Sequence, residues 1–157
     1  MKVGNLSASV IETPGHTLGH IAYWFHADQL AFVGDTLFSI GCGRVIEGTP
    51  AQMWNSLKKL RDLPDDTQIY CGHEYTLANI KFARTIEPDN KALAAREKEA
   101  KAQVDAGKAT IPVTIGAEKE DNPFLRADRA DVAAGIGMAG KSADDVFTEI
   151  RARKNKF

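Results

Sequence analysis

Residues 13–20 read Thr-Pro-Gly-His-Thr-Leu-Gly-His and lie between two stretches that predict β-strands. The preceding stretch, residues 7–12, ends where proline and glycine interrupt regular structure. The following stretch, residues 20–26, is rich in aromatic and β-branched residues, which favour strands. A glycine beside a histidine lets the backbone turn sharply and directs the side chain off the strand edge. Loops of this kind are where sheet-based folds carry functional residues.

The same arrangement occurs after two further predicted strands. Residues 30–34 are followed by Gly34-Asp35-Thr36, and residues 68–71 are followed by Gly72-His73-Glu74. Imidazole and carboxylate groups are ligands that suit zinc and comparable divalent ions. His16, Asp35 and His73 are therefore candidate metal ligands in combination, although any one such residue alone is more often a capping or hydrogen-bonding residue.

The other two histidines have simpler interpretations. His20 begins the predicted strand 20–26 and is expected to support a ligand or the fold without binding metal itself. His26 ends the same strand, beside Ala27-Asp28, and is expected to be a hydrogen-bonding residue.

Helices are predicted where apolar residues recur at helical spacing behind capping residues. Met53, Trp54, Leu57 and Leu60 recur in this way after Thr49-Pro50, which predicts a helix that ends at Leu63-Pro64. Further helices are predicted from Thr76, over residues 89–106 and over residues 142–154, the last with Ser142 as its cap.

These elements predict an α+β fold in two parts. The first part, residues 1–74, is a β-rich layer with one crossover helix, and the second, residues 75–157, is mainly helical. With 157 residues the chain suits one ordinary domain or two small ones.

Composition excludes several classes of partner. The net charge of −1 gives no overall field that would attract nucleic acid or an anionic membrane, and no apolar run approaches the length of a membrane span. The sequence begins without the apolar segment of a signal peptide, so its two cysteines, Cys42 and Cys71, are expected to be reduced thiols. We expect a cytoplasmic protein.

Five segments occur in a characteristic order along the chain. They are Thr13–His20, Gly34-Asp35-Thr36-Leu37-Phe38, Gly41-Cys42-Gly43-Arg44, Glu47-Gly48-Thr49 and Tyr70-Cys71-Gly72-His73-Glu74-Tyr75-Thr76. This series resembles the metallo-β-lactamase superfamily and, within it, the hydroxyacylglutathione hydrolase (glyoxalase II) family. Asn122-Pro123-Phe124-Leu125-Arg126 and the basic C-terminal helix also resemble that family.

The resemblance implies roles for seven residues. His16 and His73 would each bind one of two divalent metal ions, zinc being expected and iron or manganese also suitable, and Asp35 would bridge them as the catalytic carboxylate. Arg44, Tyr75, Arg151 and Lys154 would contact the glutathione part of the substrate. The implied fold is the second half of an αβ/βα sandwich followed by a small helical domain.

The implied activity is thioester hydrolysis. S-(2-hydroxyacyl)glutathione, such as S-lactoylglutathione, would be cleaved by a metal-activated hydroxide to a 2-hydroxy acid (D-lactate) and glutathione, in methylglyoxal detoxification. The partner would be this small glutathione thioester.

The sequence departs from the family pattern in two places. The family's His-x-His-x-Asp-His run, which supplies two more ligands to each metal, occurs nowhere in the chain. The resemblance therefore implies a C-terminal portion with half of a metal site, inactive by itself, and a sheet lacking one covering layer. Ile46 also stands where the family usually has an aromatic substrate contact.

Two other functions remain open. A non-catalytic module would keep the glutathione-binding tail without the metal site, and a different hydrolase of the superfamily, such as a lactonase, would lack that tail. The charges of the last helix, Arg151 and Lys154 among them, also fit a basic helix end that complements the helix dipole.

Overall fold

The computed structural model describes all 157 residues, Met1–Phe157. The strands are β1 (Lys2–Val3), β2 (Leu6–Ser7), β3 (Ser9–Glu12), β4 (Ile21–Phe25), β5 (Leu30–Gly34), β6 (Leu37–Phe38), β7 (Gly41–Cys42), β8 (Gln68–Cys71) and β9 (Val113–Thr114). The helices are α1 (Pro50–Arg61), α2 (Thr76–Ile86), α3 (Lys91–Asp105), α4 (Ile115–Asp121), α5 (Ala130–Gly135) and α6 (Ala143–Lys156), with a 3-10 turn at Pro123–Leu125.

The main sheet has five strands in the order β3-β4-β5-β8-β9. All neighbours are antiparallel except β5 and β8, which run parallel. A parallel pair needs a crossover connection, and α1 lies in the segment that provides it here. Because β5 and β8 run in the same direction, they end at the same edge of the sheet. Asp35 and His73, which follow these two strands, therefore lie close together.

Helix α1 begins where its capping residues predict. The Thr49 side chain accepts a hydrogen bond from the Gln52 N–H at 3.2 Å, and the Gln52 side chain accepts one from the Thr49 N–H at 2.9 Å. This reciprocal capping box satisfies two backbone donors of the first turn. Pro50 occupies the first helical position, where its missing N–H is not needed.

The core includes residues from both predicted parts of the chain. One cluster of 24 buried hydrophobic residues contains Val33 of the sheet, Leu57 of α1 and Ile150 of α6. The ring of Trp54 in α1 stacks on that of Phe147 in α6, with centroids 5.6 Å apart. Helices α1 and α6 are thereby packed together, which brings the C-terminal helix towards the strand ends.

The opposite face of the sheet carries an exposed apolar row. Val10, Tyr23, Phe32 and Tyr70 are register neighbours across four strands. Phe32 is 44% exposed, and its ring stacks on Tyr70 at 5.1 Å. Val10 is 48% exposed as well, so part of this row is in contact with solvent. This row agrees with the expectation of a sheet that lacks one covering layer.

Most predicted elements are confirmed, within a residue or two at their ends. Strand 7–12 is wrong in one respect: it breaks at Ala8, so that Leu6–Ser7 pairs with β1 and only Ser9–Glu12 joins the main sheet. The hairpin of β6 and β7, strand β9 and the helices α4 and α5 were not predicted. Two-residue strands and helices of six or seven residues are too short to show a periodic pattern.

Two further expectations concern the cysteines and the membrane. Cys42 and Cys71 are both free thiols. No helix combines the length and apolar composition that crossing a bilayer would demand.

Candidate metal and substrate site

Three side chains meet beyond the edge of the sheet and are called here the ligand cluster: His16, Asp35 and His73. The Nε2 atoms of His16 and His73 lie 3.4 and 3.3 Å from Oδ2 of Asp35. The strand–glycine–residue pattern predicted these three residues, and the structure brings them together from three separate loops.

Backbone contacts orient His16 toward Asp35. Its Nδ1 lies 2.9 Å from the carbonyl oxygen of Arg44. Because a carbonyl only accepts, Nδ1 carries the proton and donates it. In the neutral ring, Nε2 is then an unprotonated nitrogen directed at the carboxylate, which is the form that binds a metal ion.

His20 supports Asp35 through a hydrogen bond to its backbone, as the sequence predicted. Its Nε2 accepts the Asp35 N–H at 3.1 Å, and its Nδ1 lies 2.9 Å from Thr13 Oγ1 and 3.0 Å from Thr36 Oγ1. Burial, together with the nearby His16, lowers the pKa of His20 below its usual value. His20 is therefore a neutral hydrogen-bonding residue that fixes the Asp35 backbone.

Two glycines allow the chain to approach Asp35 closely. A Cβ at Gly72 would overlap Oδ1 of Asp35, and a Cβ at Gly43 would overlap its carbonyl oxygen. No other residue fits at either position without moving Asp35. Gly43 and Gly72 are thus required by the packing around Asp35.

Three basic residues that line one cavity together with the ligand cluster are called here the cation cluster: Arg44, Arg151 and Lys154. Arg151 is buried, and its Nη1 donates to the carbonyl oxygen of Cys42 at 2.9 Å. Its Nε donates to Asn155 Oδ1 at 3.1 Å, whereas Nη2 has no protein partner. The guanidinium also lies over the Phe124 ring, 5.2 Å from its centroid. Arg151 is therefore fixed in position with donor capacity to spare.

Lys154 is held less tightly. Its Nζ donates to the Ala78 carbonyl at 3.3 Å and lies over the rings of Phe82 and Phe157. Burial, and secondarily the charge of Arg151, lowers the pKa of Lys154. A cation that is short of water and of counter-charge is a favourable partner for an incoming carboxylate.

Tyr75 lies beside the ligand cluster and lines the same cavity. Its ring stacks on His73, with centroids 4.8 Å apart, and packs edge-on against Phe38 at 5.5 Å. The phenol is half exposed at the first turn of α2. Ile46, the residue that replaces an expected aromatic contact, is 64% exposed and is absent from the cavity lining.

One cavity of about 430 Å³ is lined by all seven residues that the sequence singled out. Its lining also contains Phe38, Cys42, Gly43 and Asn79. Of these, Asn79 had no sequence signal beyond its position one helical turn after Tyr75. Its Nδ2 donates to the Ser39 carbonyl at 3.1 Å.

Comparison with known families agrees with this geometry. A family model described as hydroxyacylglutathione hydrolase C-terminus matches residues 74–157, more than half of the chain. The chain belongs to the hydroxyacylglutathione hydrolase family. A second model, for the metallo-β-lactamase superfamily, matches residues 2–73. Membership of that superfamily implies divalent metal binding.

Curated relatives of this family are highly similar. Hydroxyacylglutathione hydrolase of Rhodopseudomonas palustris (strain BisB5) is 63% identical over 155 residues, and that of Bradyrhizobium sp. (strain ORS 278) is 58% identical over 156 residues. Each alignment covers 99% of this chain and 61% of the relative. The chain therefore spans about three fifths of the length of these relatives.

Solved structures show the same fold. ETHE1 from Myxococcus xanthus has a TM-score of 0.61 and 28% identity, with 99% of this chain and 49% of that chain covered. The protein TTHA1623 in a di-iron-bound form has a TM-score of 0.52 and 25% identity, with 80% and 45% covered. In each case about half of the solved chain aligns with most or all of this chain.

The ligand cluster fits a metal ion in the type of its atoms but not in their number. Two imidazoles and a carboxylate are suitable donors for zinc or iron. However, no group of three or more His, Cys, Asp or Glu side chains in the chain is arranged so that it could hold an ion. Each histidine is close to Asp35, yet the three residues do not amount to a complete site.

Proposed function

We propose that this chain carries the substrate-binding part and one side of the metal site of a glutathione thioester hydrolase. The substrate would be an S-(2-hydroxyacyl)glutathione such as S-lactoylglutathione, and the products a 2-hydroxy acid and glutathione. The observation that supports this most is that the ligand cluster and the cation cluster line one cavity. In this proposal the ligand cluster lies at the reacting group, and the cation cluster and Tyr75 hold the glutathione.

His16, Asp35 and His73 would hold the metal ions, with Asp35 shared between them. When bound, a divalent ion supplies Lewis-acid chemistry, namely activation of a water molecule and polarisation of a carbonyl. Zinc is our first choice because of the imidazole and carboxylate donors, and iron and manganese accept the same donors. The hydrogen bond from His16 Nδ1 to Arg44 O keeps Nε2 available for this purpose.

The cation cluster would bind the carboxylates of glutathione. Arg151 is fixed by Cys42 and Asn155, so little side-chain entropy is lost when it binds an anion. Tyr75 would lie against the glutathione chain between the two clusters. The thiolate leaves readily, because an ordinary thiol pKa of about 8.5 makes strong acid assistance unnecessary. In this proposal the residues of this chain mainly orient the thioester, and none of them has to protonate the leaving thiolate.

The ligand count predicts that residues 1–157 hold metal weakly. A catalytic zinc usually has three protein ligands, and here two ions would share three. We therefore expect little hydrolysis by this chain alone. Since the two cysteines are free and the proposed substrate is a glutathione thioester, we assign the reaction to the cytoplasm.

A second candidate is a glutathione-binding module without catalysis. The observation that favours it is the contrast between a well-fixed Arg151 and an incomplete ligand cluster. The two candidate functions predict different hydrolytic activity once the further metal-binding residues are added to the chain.

The experiment compares the 157-residue chain with an extended protein, in which the N-terminal segment of the Rhodopseudomonas palustris relative precedes it. Hydrolysis of S-lactoylglutathione is measured for both after loading with zinc. We expect near-background turnover for the chain and an increase by several orders of magnitude for the extended protein. An extended protein that folds and binds zinc but remains inactive would favour the non-catalytic module.

A further inference from the structure

The hairpin of β6 and β7, residues Leu37–Cys42, is held by buried side chains of α2, α3 and α4 and by Asn122, which precedes the 3-10 turn. Its turn contains Ile40 with a backbone φ of 58°, a left-handed conformation that β-branched residues rarely adopt. Ile40 is completely buried, so it cannot relax into solvent. Such outliers persist only where the surroundings hold them in place, and they cluster near functional sites.

Four backbone groups around this turn are bonded to side chains. Glu118 Oε2 accepts the Ile40 N–H at 2.9 Å. Asn122 Nδ2 donates to Gly41 O at 3.1 Å and Phe38 O at 3.3 Å, and Asn79 Nδ2 donates to the Ser39 carbonyl. Side-chain hydrogen bonds thus add to the β6–β7 backbone pairing at each residue from Phe38 to Gly41.

Glu118 is the centre of this arrangement. The same Oε2 atom also accepts a hydrogen bond from Asn122 Nδ2 at 2.8 Å, which links the two side chains that hold the turn. Arg96 lies nearby and donates from Nη2 to Ser39 Oγ at 3.3 Å. Burial raises the pKa of the Glu118 carboxyl, and the hydrogen bond from the Ile40 N–H opposes that rise.

Full burial of this group is costly in the folded state. Glu118 is 1% exposed, and its Oε1 atom, like Oδ1 of Asp121 and Nε of Arg96, has no hydrogen-bond partner in the protein. Buried polar atoms without partners are rare in proteins. A hydrophobic side chain would fill the same space at lower cost but could not accept the Ile40 N–H.

The hairpin leads directly into both clusters of the cavity. The carbonyl of Cys42, its last residue, accepts a hydrogen bond from Arg151 Nη1. The carbonyl of Arg44, two residues further along the chain, accepts one from His16 Nδ1. The Gly43 N–H between them donates to Thr36 O at 3.2 Å, which ties this segment back to the start of the hairpin. A displaced turn would therefore move both acceptors.

From these contacts we propose that Glu118 is a positioning residue, which acts through the Ile40 turn to set the Arg44 and Cys42 carbonyls and thereby the orientation of His16 and Arg151. The inference rests on the proposed function only in treating this cavity as the site. Its geometric content holds for the chain without metal or substrate.

The first test is nitrogen NMR of the His16 ring in the metal-free 157-residue chain. We expect the Nδ1–H tautomer in the wild type and in Glu118→Gln, whose amide oxygen still accepts the Ile40 N–H. In Glu118→Ala the signals should move toward an average of the two tautomers. Glu118→Asp keeps the negative charge but withdraws the carboxylate from the Ile40 N–H. Its His16 signals should therefore move in the same direction as those of Glu118→Ala. This variant replaces Glu118→Ala in the test if Glu118→Ala does not fold.

The matched control is Glu87→Ala. Glu87 is another largely buried carboxylate, paired with Arg126 at 3.0 Å, and it has no contact with the hairpin. We expect it to lower the melting temperature without altering the His16 signals. If Glu118→Ala, or Glu118→Asp in its place, lowers the melting temperature like Glu87→Ala and leaves His16 unchanged, the inference is wrong.

The second test measures the affinity of the same proteins for S-methylglutathione. We expect about a tenfold loss in Glu118→Ala, because Arg151 loses its fixed acceptor, and near-normal affinity in Glu118→Gln. A wild-type chain that does not bind this probe would count against the proposed function, while the His16 signals would still decide the inference. Equal affinity in wild type and Glu118→Ala would contradict the link to Arg151.

Discussion

The ligand cluster and the cation cluster line the same cavity but differ in how completely the chain builds them. Arg151 is buried, with three hydrogen-bonding contacts fixing its guanidinium, whereas His73 is about half exposed and lies against one carboxylate oxygen. The ligand cluster lies in three loops beyond the edge of the sheet, whereas Arg151 and Lys154 of the cation cluster lie on α6, whose Ile150 is part of the main core. Under the proposed function, the comparison predicts that glutathione binding by these 157 residues does not depend on metal binding.

The largest effect is expected from Asp35, which alone contacts both histidines. In the extended protein, Asp35→Ala should reduce hydrolysis of S-lactoylglutathione by roughly a thousandfold or more, because in the proposed site it would remove a ligand from both ions. A loss of this size corresponds to about 4 kcal/mol of transition-state stabilisation. Asp28→Ala, in the exposed turn after β4, is the matched control and should be silent. An Asp35 variant with most of its turnover would refute the bridging role.

A smaller effect is expected from the cation cluster. Arg151→Ala and Lys154→Ala should raise KM with little change in kcat, because a carboxylate contact remote from the carbonyl is the same in ground and transition states. A charge-assisted hydrogen bond contributes about 1.5–3 kcal/mol, so kcat/KM should fall by about ten- to a hundredfold.

The control for these variants is Arg153→Ala, a basic residue of the same helix that pairs with Glu149. Kinetics on a glutathione thioester and on a neutral thioester are measured side by side. The loss should shrink on the neutral substrate and in high salt. Equal losses on both substrates would mean that the helix supports the fold and not the ligand.

The smallest effect concerns the buried carboxyls of α4. Burial raises the pKa of Glu118 to about 7 and that of Asp121 to about 8, the latter helped by the charge of Glu118. A carboxyl whose pKa is higher in the folded state keeps its proton there after the unfolded chain has lost it. The resulting stability is complete below about pH 4 and is lost as the pH rises through the folded-state values.

We therefore expect the melting temperature to fall between pH 5.5 and pH 8.5, and Asp121→Asn to reduce that fall by several degrees. His20 acts with the opposite sign, because its pKa is lowered and its contribution is lost as the pH falls. The comparison of variant with wild type removes that contribution. An unchanged pH dependence in Asp121→Asn would show that these carboxyls are ionised in the folded chain.

Local patterns predicted the ligand cluster because its signal is local. A strand followed by glycine and a ligand-type residue is visible in a few letters, and His16, Asp35 and His73 all carry it. The strands and the longer helices were predicted for the same reason. Alternation, helical spacing and caps such as Thr49 and Ser142 each lie within one element.

Contacts between distant elements could not be predicted in this way. The bond from Arg151 to Cys42 spans 109 residues, and no pattern within α6 indicates it. Glu118 lies in Ile-Gly-Ala-Glu-Lys-Glu-Asp, a charged segment typical of a solvent-facing helix, yet it is buried beneath the Ile40 turn. Tertiary packing overrides composition there.

The most direct measurement is a calorimetric titration of the 157-residue chain with S-methylglutathione in the presence of a chelator. If the two clusters are separable, the metal-free chain binds the ligand with a dissociation constant of about 0.05–5 mM, as two charge-assisted contacts would give. Lys154→Ala should weaken this binding about tenfold, and Asp35→Ala should leave it unchanged. Absence of binding without metal, or equal loss in both variants, would contradict the account.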